Sequence, residues 1–163
     1  NPEKILNNGL YDEYEKILKI EQELGVNTQK ALDLFNERVS LLRQCSFDLV
    51  KHIIDLEGKI VALGASTKGN MICQFLGINS SHVECVLDNN QKKIGKIMTG
   101  SNIPVVDEKS WLNRLPNYLL ILPYYYVEYF KKMVIENTEK GKITFLIVLL
   151  PTPRLIKVIG KKS

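Results

Sequence analysis

The segment Gly64-Ala65-Ser66-Thr67-Lys68-Gly69-Asn70 carries the residue types best suited to ligand chemistry in this chain. It follows a β-branched apolar run, Lys59-Ile60-Val61-Ala62-Leu63, and leads into apolar residues at helical spacing. A strand that turns through glycines into a helix aims backbone N–H groups and a positive helix end at one point, which suits a phosphate. Ser66, Thr67 and Lys68 add two hydroxyls and a cation there. Asp88 ends the next apolar run, Val83-Glu84-Cys85-Val86-Leu87, 24 residues beyond Gly64. Nucleotide folds place an acid near that distance to hold a ribose hydroxyl. Together these residues predict a nucleotide site.

The loop departs from the two best-known phosphate signatures. Gly64 and Gly69 have P-loop spacing, but Asn70-Met71 stands where that motif needs Lys and a hydroxyl residue. Neither the phosphate lysine nor the Mg²⁺-binding hydroxyl is in place, which speaks against ATP hydrolysis. In a dinucleotide fingerprint the middle glycine lets a pyrophosphate approach the backbone, and Ser66 holds that place here. Serine fits NAD less well, although its hydroxyl can donate to a phosphate oxygen. A tight turn with nothing bound is the competing reading, and Asp88-Asn89-Asn90 is turn-forming in its own right. Gln91-Lys92-Lys93-Ile94-Gly95-Lys96 reads as a solvated loop with positive charge available to a diphosphate.

Tyr124-Tyr125-Tyr126 follows Leu122-Pro123 at the end of another apolar run, on the edge that faces the same crevice. Tyr124 and Tyr125 are candidates for stacking on a base or sugar, whereas packing of the next helix claims Tyr126 and Tyr129 as naturally. No carboxylate pair, Cys–His pair or Ser–His–Asp set is spaced for covalent or acid–base catalysis. No catalytic residue is therefore assigned.

The elements that must hold these residues fall into two stretches. Tyr11 to Leu24 predicts a short amphipathic helix, broken by Gly25-Val26-Asn27. Asn27 or Thr28 can cap a longer one in which Leu32, Phe35, Val39, Leu42, Leu49, Ile53 and Leu56 form a helical stripe ending before Gly58. This predicts a helical arm or linker over 1–57 and a nucleotide-binding domain over 58–163. In the latter, strands are expected at 59–63, 83–87, 103–106, 118–122 and 143–149, and helices at 67–76, 107–113 and 124–138. Gly77 closes the first helix, Asp107 caps the second, and Gly141 follows the third. Runs 118–122 and 143–149 are apolar on both faces, as buried parallel strands require. The alternation predicts right-handed βαβ units and a doubly wound α/β sheet.

Bulk properties narrow the function classes. At 163 residues there is room for one full core with a helical appendage. A net charge of +4, with lysines scattered among glutamates, lacks the basic stripe that nucleic-acid binding needs. No apolar run approaches the roughly 20 residues that span a bilayer. Cys45, Cys73 and Cys85 form no C-x-x-C pair, and His52 and His82 lie in different elements, so neither a disulfide framework nor a metal site is expected. A cytoplasmic setting fits best. The start at Asn1-Pro2 suits a processed terminus or an excised domain.

Three groups of residues bring a family into view: Gly64 to Asn70, then Val86-Leu87-Asp88-Asn89-Asn90-Gln91-Lys92-Lys93-Ile94-Gly95-Lys96, then Ile103-Pro104-Val105. In order and spacing they resemble the C-terminal domain of SAM-dependent nucleotide-sugar C-methyltransferases of deoxysugar biosynthesis. Tyr118-Leu119-Leu120-Ile121-Leu122 and Leu149-Leu150-Pro151 match the two later strands, so the resemblance covers most of 28–153. Departures are Pro123-Tyr124-Tyr125, where the family usually has Ala-Trp-Asn, and Thr99, where it tends to have proline.

The resemblance implies a Rossmann-like domain that holds the nucleotide diphosphate of a keto-deoxysugar, with Ser66, Lys68 and Asn70 as phosphate and nucleotide contacts. It implies SAM and zinc in upstream domains rather than here, and the SAM-binding domain of the same chain as a partner. The catalytic tyrosine and histidine of such enzymes belong to that central domain. The residues alone leave two other readings open: a stand-alone NAD- or CoA-binding domain, and an interaction module that has lost its ligand.

Overall fold

The structure, a computed structural model, describes residues 10–162. The first nine residues of the expected arm lie outside the described residues. The chain divides into two compact units, one ending at Leu41 and one beginning at Leu42.

The first unit holds helix α1 (Leu10–Leu24) and the start of α2 (Gln29–Glu57). Thr28 caps α2, its Oγ1 accepting from the Ala31 N–H at 3.2 Å. Tyr14, Ile17, Leu32 and Phe35 are exposed.

The second unit is a six-stranded sheet with the order β3-β2-β1-β4-β5-β6. Its strands are β1 (Ile60–Leu63), β2 (Val83–Asp88), β3 (Val105–Asp107), β4 (Tyr118–Ile121), β5 (Ile143–Val148) and β6 (Arg154–Ile159). The first five are parallel and β6 is antiparallel to β5. The expected doubly wound, Rossmann-like α/β architecture is the one observed. Period-2 alternation sends side chains to opposite faces. Val61, Leu63, Leu119, Ile121, Leu146 and Val148 pack on one side with Phe130, Met133 and Val134 of α4 (Val127–Asn137). Ala62, Val86, Leu120 and Ile147 pack on the other with Val50 and Ile53 of α2 and Cys73 and Leu76 of α3 (Thr67–Leu76). Burying each large aliphatic side chain stabilises the fold by about 1.5–3 kcal/mol. Both faces are covered, which is why these strands carry almost no polar residues.

From β1 the chain moves one way across the sheet to β2, and from β4 the other way to β5. With one crossover hand the two connecting helices fall on opposite faces, and a crevice opens between the departing loops. That crevice holds the glycine loop.

Two expectations need correction, and one strand lies outside those expected. The helix expected at 107–113 is a single 3-10 turn, Glu108–Ser110, started by Asp107 Oδ1 accepting from Lys109 N–H. The helix expected at 124–138 opens as a 3-10 turn, Tyr124–Tyr126, before α4 begins. Strand β6 was not anticipated: it is an edge strand with Leu155, Lys157 and Ile159 exposed, so it lacks the apolar run of a buried strand.

Candidate functional site

β1 ends at Leu63, and Gly64 turns the chain with φ +80°, a conformation that favours glycine. A Cβ at Gly64 would also lie 2.6 Å from the Pro123 ring, so the turn packs directly on the residue after β4. Ser66 then caps α3, its Oγ accepting from the Gly69 N–H at 2.9 Å. Gly69 is buried under the first turn, where a Cβ would meet Leu122 Cβ at 2.6 Å. Both glycines let backbone pass where no side chain fits.

The loop's amides can be accounted for one by one. Gly64 N–H donates to Leu87 O, Ala65 N–H to Asp88 Oδ2, Ser66 N–H to Gly64 O, and Asn70 N–H to Ser66 O. With Gly69 bonded to Ser66 Oγ, Thr67 and Lys68 remain. Among the described residues no acceptor pairs with those two amides, which open the first turn of α3. Two adjacent free N–H groups at a helix N-terminus are what a phosphate oxygen takes. The Ser66 hydroxyl proton also remains free to donate, since its oxygen serves as the cap's acceptor.

Two hollows flank this loop. One, of about 600 Å³, is lined by Gly64, Ser66, Leu87, Pro123, Phe130 and the exposed Tyr125, Tyr126 and Tyr129, with Asp88, Asn89, Asn90, Lys93 and Glu108 at its polar edge. The other, of about 250 Å³, lies toward the β2–β3 connection; Thr67 and Asn70 line it with Lys92, Lys93 and Lys96. Ser66 and Lys93 border both. The crevice is therefore aromatic and acidic at one end, basic at the other, and joined over the loop.

Each residue singled out from the sequence has a definite place. Asp88 is buried and occupied: besides Ala65, its Oδ1 accepts from Asn90 N–H at 2.8 Å and its Oδ2 from Lys93 Nζ at 3.2 Å. Lys68 is exposed, its Nζ 5.0 Å from the centroid of the Tyr125 ring. That separation suits a cation–π contact. Ala65 is buried beside the basic hollow. Tyr124 packs against the sheet core and lines neither hollow, unlike Tyr125. Tyr126 and Tyr129, assigned as readily to packing, are more than half exposed and line the aromatic hollow.

Sequence reasoning missed Glu108. Its carboxyl pKa is raised, first by desolvation and then by the charges of Asp88 and Asp107. Asp88 and Asp107 are register partners in β2 and β3, so Glu108 arrives beside Asp88 through strand pairing. No spacing in the sequence marks that. Among the described residues no three His, Cys, Asp or Glu side chains converge as metal ligands. Among the described residues no helix is long and apolar enough to cross a membrane.

Over residues 6–151 the chain matches the family described as C-methyltransferase C-terminal domain. It is also 32% identical over 110 residues to the C-methyltransferase NovU of Streptomyces niveus, a match covering 67% of this chain and 26% of that protein. The chain thus spans about a quarter of the length of the curated relative it matches. With nearly its whole described length inside the family's bounds, the chain belongs to the C-methyltransferase C-terminal domain family.

Proposed function

We propose that this domain holds the nucleotide-diphosphate part of a keto-deoxysugar substrate for a SAM-dependent sugar C-methyltransferase. The observation that carries this reading is the two-ended crevice. Ser66, Lys93 and the free amides of Thr67 and Lys68 form its middle, and Lys92 and Lys96 one end. A diphosphate suits that basic stretch, and a nucleoside suits the tyrosine-lined hollow, where a base can stack.

Methyl transfer to a keto-sugar carbon needs a base to make the carbon nucleophilic beside the methyl donor. In this reading that base comes from another domain. This domain contributes positioning: it fixes one end of the substrate so the sugar is presented to another domain, which removes entropy from the barrier. The methyl donor, the zinc and the SAM-binding domain belong to other parts of such an enzyme. A cytoplasmic setting goes with this reading.

Isothermal titration of the chain with nucleoside diphosphates, NAD and SAM tests it. Nucleoside diphosphates should bind with a strong salt dependence, and SAM should not. Lys68→Ala should weaken nucleoside-diphosphate binding by about ten- to a hundredfold, the size of a charge-assisted contact. Tight SAM binding without a nucleotide response would overturn the division of labour. A preference for NAD would favour the dinucleotide alternative.

A further inference from the structure

The acid that ends the second strand of a nucleotide fold is the usual candidate for holding the ribose, and in this chain that acid is Asp88. Its bonding leaves it little to offer. A carboxylate has about four acceptor sites. Asp88 gives three of them to Ala65 N–H, Asn90 N–H and Lys93 Nζ. Those bonds hold the glycine loop and the β2–β3 connection in place, so a ligand would compete with the structure that forms its own site.

Glu108 borders the same hollow and is uncommitted. Among the described residues no hydrogen bond or ion pair engages its side chain, although it is only partly exposed. It stands at the end of β3, next to the end of β2, across the hollow's polar edge from the ring-bearing wall of Tyr125, Tyr126 and Tyr129. A partly buried carboxylate that takes no donor from the protein is open to donors from a ligand in the hollow. Resting on the nucleotide reading of the crevice, we propose that Glu108, rather than Asp88, accepts the hydrogen-bond donors of the bound nucleoside and so selects among nucleotides. Two parts of a nucleoside offer such donors: the ribose hydroxyls and the N–H edge of the base.

The charged and titratable groups around Glu108 are Asp88 on β2, Asp107 on β3, Lys93 in the connection and the three tyrosines of the opposite wall. Burial and the neighbouring Asp88 and Asp107 charges raise the Glu108 carboxyl, so it keeps its proton to higher pH than an ordinary carboxyl does. Nucleoside binding by the native chain should therefore weaken as pH falls more than binding by a variant lacking this acid.

The test is calorimetric titration of the chain, Glu108→Gln and Glu108→Ala with UDP, 2′-deoxy-UDP and GDP from about pH 4 to pH 8. Glu108→Gln should weaken binding about tenfold and Glu108→Ala further, with no loss of thermal stability and a flatter pH profile. A loss confined to UDP and GDP identifies the ribose 2′-hydroxyl as the donor. A loss of similar size with 2′-deoxy-UDP assigns the donors to the 3′-hydroxyl or the base edge. Unchanged affinity of both variants for all three ligands would overturn the role of Glu108 and leave the crevice reading intact. Failure of the native chain to bind any of them would overturn both.

Discussion

Asp88 Oδ2 accepts the Ala65 N–H at 2.9 Å, tying the end of β2 to the loop that follows β1. The contact joins residues 23 apart and is buried. It holds Ala65 in place at the turn, so the free amides of Thr67 and Lys68 keep a fixed position at the start of α3. The acid at the second strand serves the glycine loop through the protein.

Replacing Asp88 with Asn should therefore act first on stability. The amide cannot accept with both ends, so Ala65 N–H, Asn90 N–H or Lys93 loses its acceptor. Leaving a buried donor unsatisfied costs about 1–3 kcal/mol. A drop in the thermal unfolding midpoint of roughly 2–12 °C follows for a chain of this size. Lys93→Ala should cost far less, because the lysine side chain is 41% exposed and solvent screens the pair. Equal midpoints for native and Asp88→Asn chains would show that the tie carries no weight.

Gly69→Ala tests the close approach beneath the loop. The added methyl would lie 2.6 Å from Leu122 Cβ and 2.9 Å from Ser66 Oγ, so it presses on the core and the helix cap together. Overpacking of this kind costs about 1–3 kcal/mol. Although alanine is the better helix former, the variant should unfold at lower denaturant. A stabilised Gly69→Ala chain would mean that α3 can move away from β4 freely.

The sheet was legible because its strands are buried on both faces. Runs such as Tyr118 to Leu122 and Ile143 to Leu149 have no polar residue that would let them sit anywhere else, apart from Thr144. The edge strand β6 was not legible, since a half-exposed alternation after two prolines resembles a loop. At the site, Gly64, Ser66 and Gly69 were readable because a strand–turn–helix needs those residue types locally. Glu108 and the division of labour among the tyrosines were hidden. They depend on register between β2 and β3 and on where a 3-10 turn hands over to α4. Asp88 illustrates the intermediate case: its place was visible, but its partners are set by tertiary contacts.

The three cysteines should separate cleanly under alkylation. Burial pushes the Cys73 thiol up to about 12. Burial, with a smaller contribution from the Glu84 charge, pushes Cys85 up to about 11. Neither forms thiolate near neutral pH, and both are buried in the core, whereas Cys45 is exposed. Iodoacetamide at about pH 8 should add one group to the native chain and three after denaturation, because only the thiolate reacts. Rapid native labelling at Cys73 or Cys85 would contradict the packing of α3 and β2.

Glu108→Gln should stabilise the chain at neutral pH. The folded-state pKa of Glu108 is raised, so the fold favours its protonated form and ionisation destabilises it. Below the ordinary carboxyl value, about pH 4, the acid is protonated folded or unfolded, and the native chain should match the variant. As pH rises through the raised value the native chain alone loses stability, and the variant pulls ahead. Glu108 is partly exposed, so the gain after solvent screening is less than about 1 kcal/mol. That bounds the rise in the unfolding midpoint at about 2–4 °C. Midpoints measured from about pH 4 to pH 8 should diverge on the alkaline side only. A variant that is less stable at neutral pH would mean that the Glu108 carboxylate has a partner within the fold. A gain in stability there would mark a charge kept at the expense of the fold, as expected for a group that serves a ligand.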